Sequence, residues 1–133
     1  MTMLLMALTM AAASADAALG RWRTETRHGI IEIVRCGASL CGKIVTSDGL
    51  ATNPAMKDIR NKDKQLRGRT LKGLQVLSGF SWKNGVWDGG WVYNAEDGKT
   101  YEARITPVDA NMLKLRGCIF VPLCKTQTWT RVR

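Results

Sequence analysis

The sequence predicts an all-β fold, a small eight-stranded antiparallel up-and-down barrel, and three observations carry that prediction. Short runs rich in β-branched and aromatic residues are each ended by Gly, Asn or Asp. The turns between them are short enough to make consecutive strands antiparallel neighbours. Within the runs apolar and polar residues alternate, so each strand has one buried and one wet face. Closure removes the exposed edges of such a sheet, with a two-sheet sandwich as the alternative. A chain of 133 residues, 45% apolar, suits one domain, and its thirteen glycines and five tryptophans suit tight turns between short strands.

Residues 1–15 read as a secretory signal. The stretch from Met3 to Ala13 is apolar, and Ala13-Ser14-Ala15 has the small-x-small pattern that signal peptidase prefers, although the usual basic start is missing. Cleavage before Asp16 leaves residues 16–133 as the barrel domain. The apolar run is about ten residues against the roughly twenty that span a bilayer, so no transmembrane segment is expected in the mature chain. The expected location is periplasmic or secreted.

The eight strands are expected at 21–26, 30–35, 42–45, 74–82, 86–93, 100–108, 112–120 and 126–132. His28-Gly29, Asn84-Gly85 and Asp97-Gly98 place glycine where a tight hairpin needs positive φ, and Asp109-Ala110-Asn111 is a short polar turn. The long connection from Thr46 to Lys72 is the exception. There Asn53-Pro54 can cap a short helix reaching about Arg60, since Asn is a good N-cap and Pro fits the first helical position. Alternation places Leu74, Val76, Phe80 and Trp82 on one side of their strand. Leu113, Leu115 and Ile119 share one side of theirs, with Lys114 and Arg116 on the other.

Four cysteines fall in two close pairs, Cys36 with Cys41 and Cys118 with Cys124. Each pair flanks turn sequence with Gly or Pro, which favours two local disulfides. Cross-pairing of the two loops is the rival. Zinc is disfavoured, because the spacings are not C-x2-C and His28 is the only histidine. No metal and no cofactor are expected.

The formal net charge is +9. Basic residues concentrate at Lys57, Arg60, Lys62, Lys64, Arg67, Arg69 and Lys72, with two acidic residues among them. Such a run is first of all a solvated loop. It can also attract an anionic partner such as lipid head groups, envelope polysaccharide or an acidic ligand. No nucleic-acid motif is present, and none of that class of partner is expected.

Several spaced residues, taken together, carry a family resemblance: Gly20-x-Trp22, Ile33-x-x-Cys36-x-x-x-Leu40-Cys41-Gly42-x-Ile44, Asn53-Pro54, Trp87-x-x-Gly90-x-x-Tyr93, Gly98-Lys99-x-Tyr101, Leu115-x-Gly117 and Gln127-x-Trp129-x-Arg131. The sequence resembles the DUF2147 family over essentially the whole mature chain. The resemblance implies exported bacterial proteins with a lipocalin-like barrel and no established activity. In lipocalin-like barrels a Gly-x-Trp on the first strand meets an Arg from the last, which implies that Arg131 stacks on Trp22 to close one end. Alternation puts Gln127 and Trp129 on the same face as Arg131.

No catalytic constellation stands out, and a non-enzymatic protein is expected. His28 reads as an exposed turn histidine, and no Ser or Cys motif supplies it with a nucleophile. Asp88 with Glu102 is the one adjacent carboxylate pair, but Glu102 is better read as a partner for Arg104 or Lys99. Asp88-Gly89-Gly90 reads as a bulge, not a phosphate loop. Trp87, Trp91 and Tyr93, at i, i+4 and i+6, read as one strand face, with Tyr101 on the next strand. Ordinary core packing explains such a set, and a ring-lined cup for a small apolar or amphipathic ligand is the functional alternative.

Overall fold

The computed structural model describes residues 14–133, so the expected leader lies outside the described residues except for Ser14 and Ala15. A 3-10 turn, Ala15–Ala18, opens the described chain. The strands are β1 (Gly20–Arg23), β2 (Ile30–Cys36), β3 (Ser39–Thr46), β4 (Gln75–Ser78), β5 (Ser81–Lys83), β6 (Val86–Asn94), β7 (Lys99–Asp109), β8 (Met112–Phe120) and β9 (Leu123–Arg131). All pairings are antiparallel, in the order β4-β3-β2-β1-β9-β8-β7-β6, and β4 pairs again with β6. The sheet is therefore a closed eight-stranded barrel. β4 and β5 are two halves of one bent strand, both on β6 and broken at Gly79, whose φ is +79°.

The inner wall is a continuous apolar core. Trp22, Ile33, Leu40, Leu77, Phe80, Trp87, Ile105, Leu113 and Trp129 are all buried within it. Glycines make room for the larger rings. A Cβ on Gly90 would lie 2.3 Å from the Phe80 ring, and one on Gly42 would lie 2.6 Å from Leu77. Two glycines, on the β3 and β6 strands that flank β4, thus admit a leucine and a phenyl ring that would otherwise not fit.

Two local expectations are corrected. The short helix α1 covers Asp48–Thr52 and ends at Asn53, with Ser47 as its N-cap accepting from the Leu50 N–H. Asn53-Pro54 is therefore a stop, because a residue before proline is pushed out of the α region. The β1–β2 turn places Arg27 and His28 at φ +54° and +49°, while Gly29 is not left-handed. Asn84-Gly85 and Gly98 do carry the positive φ that their turns need.

The strand read as 74–82 also departs from simple alternation. Against β3, Gly42 pairs with Leu77 but Lys43 with Gln75, so β4 carries one extra residue at Val76, and both Val76 and Leu77 are buried. Leu77 pairs with Val92 and faces the core, and Val76 belongs to the same buried cluster, against which Tyr93 packs.

Candidate functional site

One end of the barrel is shut by the N-terminal 3-10 turn. The Trp22 indole N–H donates to the Ala18 carbonyl at 2.9 Å, and the Trp87 indole donates to the Ala15 carbonyl at 3.1 Å. The Arg131 guanidinium lies 4.3 Å from the centre of the Trp22 ring. It also donates to the carbonyls of Leu19 at 2.7 Å, Ala17 at 2.8 Å and Ala110 at 2.5 Å. Gly20 is required there: its φ is +115°, and a Cβ would lie 2.6 Å from Arg131 Nη1. Trp129 donates to the Gln127 amide oxygen at 3.0 Å. Arg35, which the sequence did not single out, lies 5.1 Å from the Trp87 ring and donates to Asp16 at 2.6 Å.

Arg131→Ala is expected to lower stability by about 1 to 3 kcal/mol, because it orphans two part-buried carbonyls, of Ala17 and Leu19, as well as losing the cation–π contact. Denaturant unfolding measures this. An unchanged midpoint would mean that the plug holds without the guanidinium.

The four rings read as one face are split in the structure. Trp87 pairs with Ile105 but Gly90 pairs with Ala103, so β6 carries one residue more than β7 between these pairs. This bulge, with Gly89 at φ +67°, reverses the alternation after Trp87. Trp87 is fully buried near the shut end, whereas Trp91 pairs with Glu102 on the outer surface and is 52% exposed. Tyr93 is also outward. Val92 and Tyr101, paired with one another, face inward.

The opposite end of the barrel is more open. Paired residues of a ladder share a face, so the inner side of β8 and β9 runs from Leu113 and Trp129 through Leu115 and Gln127 to Gly117 and Lys125. The first of these are buried, Gly117 and Gln127 are half-buried, and Lys125 is exposed. A Cβ on Gly117 would stand 3.6 Å from Val92 and 3.7 Å from Tyr101, in space that glycine leaves empty. The Tyr101 hydroxyl donates to Asp97 in the β6–β7 turn, and that bond, with burial, raises its pKa. This mouth joins apolar walls to an amide and an ammonium group.

Outside the barrel, the crossing segment is pinned by a buried polar cluster that the sequence did not reveal. Asp58 is 1% exposed. It accepts from Tyr93 Oη at 2.5 Å, Asn61 Nδ2 at 2.9 Å and Arg69 Nε at 3.0 Å. Burial pushes the Asp58 carboxyl up, but the bonds from Asn61, Tyr93 and Arg69 outweigh it and hold its pKa below the usual value. Burial and the bond to Asp58 push Tyr93 up to about 12. Gly98 completes the seam, because a Cβ there would lie 1.7 Å from the Arg60 carbonyl. Between segment and hairpin lies an open groove of about 590 Å³ bordered by Lys62, Arg69, Tyr93, Lys99 and Thr100.

Of the seven basic residues, Arg60 donates to the Glu96 carbonyl, Arg67 to the Asn61 carbonyl and Arg69 to Asp58. Lys57, Lys62, Lys64 and Lys72 make no ion pair among the described residues. His28 is exposed in its turn and 3.0 Å from the Asp48 carboxylate. Arg104 pairs with Asp88 at 3.1 Å and not with Glu102. Disulfides link Cys36 to Cys41 and Cys118 to Cys124, leaving no free cysteine among the described residues. Among those residues no three His, Cys, Asp or Glu side chains form a metal-holding group, and no helix is long and apolar enough to cross a membrane.

No curated protein matches the chain. A solved structure, protein HP1028 from the human pathogen Helicobacter pylori, is described as belonging to the lipocalin family. It superimposes with a TM-score of 0.75 at 25% sequence identity, over 86% of this chain and 82% of that one. The barrel is thus lipocalin-like. The family model described as "uncharacterized protein conserved in bacteria" matches residues 20–131, and the chain belongs to that family, DUF2147.

Proposed function

We propose that this protein is a non-enzymatic binding module that holds a small apolar or amphipathic ligand in the open end of its barrel. The observation that carries this reading is the graded inner wall, solid from the plug to Leu115 and then half-open at Gly117, Val92, Tyr101 and Gln127. Lys125 at the rim suits an anionic head group, and the apolar wall suits its tail. Of the rings first considered as a cup, Tyr101 is the one this reading retains. The lipocalin-like fold supports the same class of function. Two disulfides in a protein of a bacterial family fit a non-cytoplasmic compartment. We assign periplasm or secretion, with removal of residues 1–15, as part of this proposal.

Gly117→Leu tests the reading directly, since Gly117 has ordinary backbone geometry and a side chain there would fill the mouth. A fluorescent fatty acid should bind the wild type with roughly micromolar affinity, typical of small amphiphile sites. The variant should lose at least about tenfold of that affinity at unchanged melting temperature. Equal binding by the variant, or no binding of any amphiphile by the wild type, would reject the mouth as the site.

The groove over Tyr93 favours a second reading, an envelope contact made by the basic surface. Lys62, Arg69 and Lys99 border it. Binding through these cations should fall steeply with salt, whereas burial in the mouth should not.

A further inference from the structure

The β8–β9 turn is unlike any other turn of the barrel. Its residues Ile119, Phe120, Val121 and Leu123 are 67%, 59%, 63% and 55% exposed. They stand together with Pro122 in one loop closed at its base by the disulfide from Cys118 to Cys124. Single exposed apolar residues are ordinary, but a contiguous group that a covalent staple holds away from the core marks a contact surface. Every one of these side chains could have been polar at no cost to the barrel.

The surroundings identify what the tip meets. Cys118 pairs with Glu102 on β7, and three residues earlier that strand starts at Lys99. At about 3.3 Å per residue, Lys99 therefore stands at the height of the tip, one strand away. The β6–β7 turn next to it carries the crossing segment: the Lys62 N–H donates to the Gly98 carbonyl at 3.3 Å, and Arg60 donates to the Glu96 carbonyl at 2.9 Å. Lys125 follows the tip directly and is exposed. The acidic groups of that turn are engaged within the protein, Asp97 by Tyr101 and Glu96 by Arg27. Three lysines that make no ion pair among the described residues thus border the apolar tip against one exposed carboxylate, Glu102 opposite Cys118, and on a chain of net charge +9 this surface is complementary to an anionic lipid surface. The acyl region takes the tip, and the head groups take the lysines. A second copy, with the same charge around the same tip, would be repelled.

We propose that the stapled tip 119–123 docks the barrel on an anionic bilayer, inserting Phe120 and its neighbours among the lipids with Lys62, Lys99 and Lys125 at the head groups. This inference shares Lys125 with the ligand reading but rests on the tip, whose side chains lie beyond the inner wall of the mouth.

Sedimentation with phosphatidylcholine vesicles, with and without phosphatidylglycerol, tests it. The wild type should bind the anionic vesicles and leave the neutral ones. The double variant Phe120→Ser/Leu123→Ser should partition about tenfold or more less strongly at unchanged melting temperature. Phe120→Trp should add tryptophan emission that brominated acyl chains quench, whereas Gly117→Leu should bind vesicles as the wild type does. The proposal is overturned if the double variant binds like the wild type, if brominated lipids quench Phe120→Trp no more than the wild type, or if neutral vesicles bind equally. It is also overturned if the double variant proves to dissolve a dimer instead of a lipid complex.

Discussion

Asp58→Ala is expected to lower stability by about 3 kcal/mol or more, because it strips a buried polar cluster of its common acceptor. Breaking a buried charge pair by removing one partner typically costs about 3 to 5 kcal/mol. Here Arg69 can partly rehydrate, since its side chain is 35% exposed, which argues for the lower end. Tyr93 and Asn61 would still lose their acceptor together. The damage should be local first. Amide exchange should rise across 57–70, where the crossing segment lies against the sheet, before it rises in β8 or β9.

The same cluster sets a pH signature. The pKa of Asp58 is lower in the folded protein, so its contribution is complete above its unfolded value near 4 and is lost as pH falls through the folded one. Tyr93 has the opposite sense. Its pKa is raised to about 12, so its contribution is complete below about 10 and is lost as pH rises from there to about 12. The Asp58→Ala protein should therefore show a flatter fall at both extremes than the wild type. An unchanged melting temperature, or identical acid and alkaline limbs, would show that the segment is held by other contacts.

The strands were legible in the sequence because each is written twice, in its alternation and in the turn that ends it. Gly98 and Asn84-Gly85 show this well: the turn residues and the positive φ agree. The plug was legible only through resemblance, since nothing in the sequence around Trp22 and Arg131 tells that two residues 109 positions apart will meet. Asp58 and Asn61 were hidden for a plain physical reason. They lie in a run of charges that reads as solvated, and the acceptor role appears only once Tyr93 is turned outward to meet them. Of the apolar tip only Ile119 and Phe120 fall in an expected strand, where Ile119 reads as sharing one side with Leu113 and Leu115. It is a strand end that leaves the barrel, and periodicity cannot tell where a ladder stops.

The tryptophans of β6 provide the sharpest test of how far alternation can be trusted. The spacing of Trp87 and Trp91 by four residues places them on one face of a regular strand, and two such rings would then respond alike to truncation. The extra residue at Asp88-Gly89-Gly90 separates them. Trp87→Ala should cost about 3 to 5 kcal/mol, because it empties a fully buried site between Trp82, Ile105 and the plug and abandons the Ala15 carbonyl. Trp91→Ala should cost about 1 kcal/mol or less, since its ring is half in solvent and chiefly covers Gly79. Fatty-acid binding should survive the Trp91 change, because that ring lies outside the barrel. Paired urea titrations measure both variants on one scale. Similar losses for the two would mean that the strand is regular through the glycines and that Trp91 belongs to the interior. In that case the mouth would have to be redrawn around it.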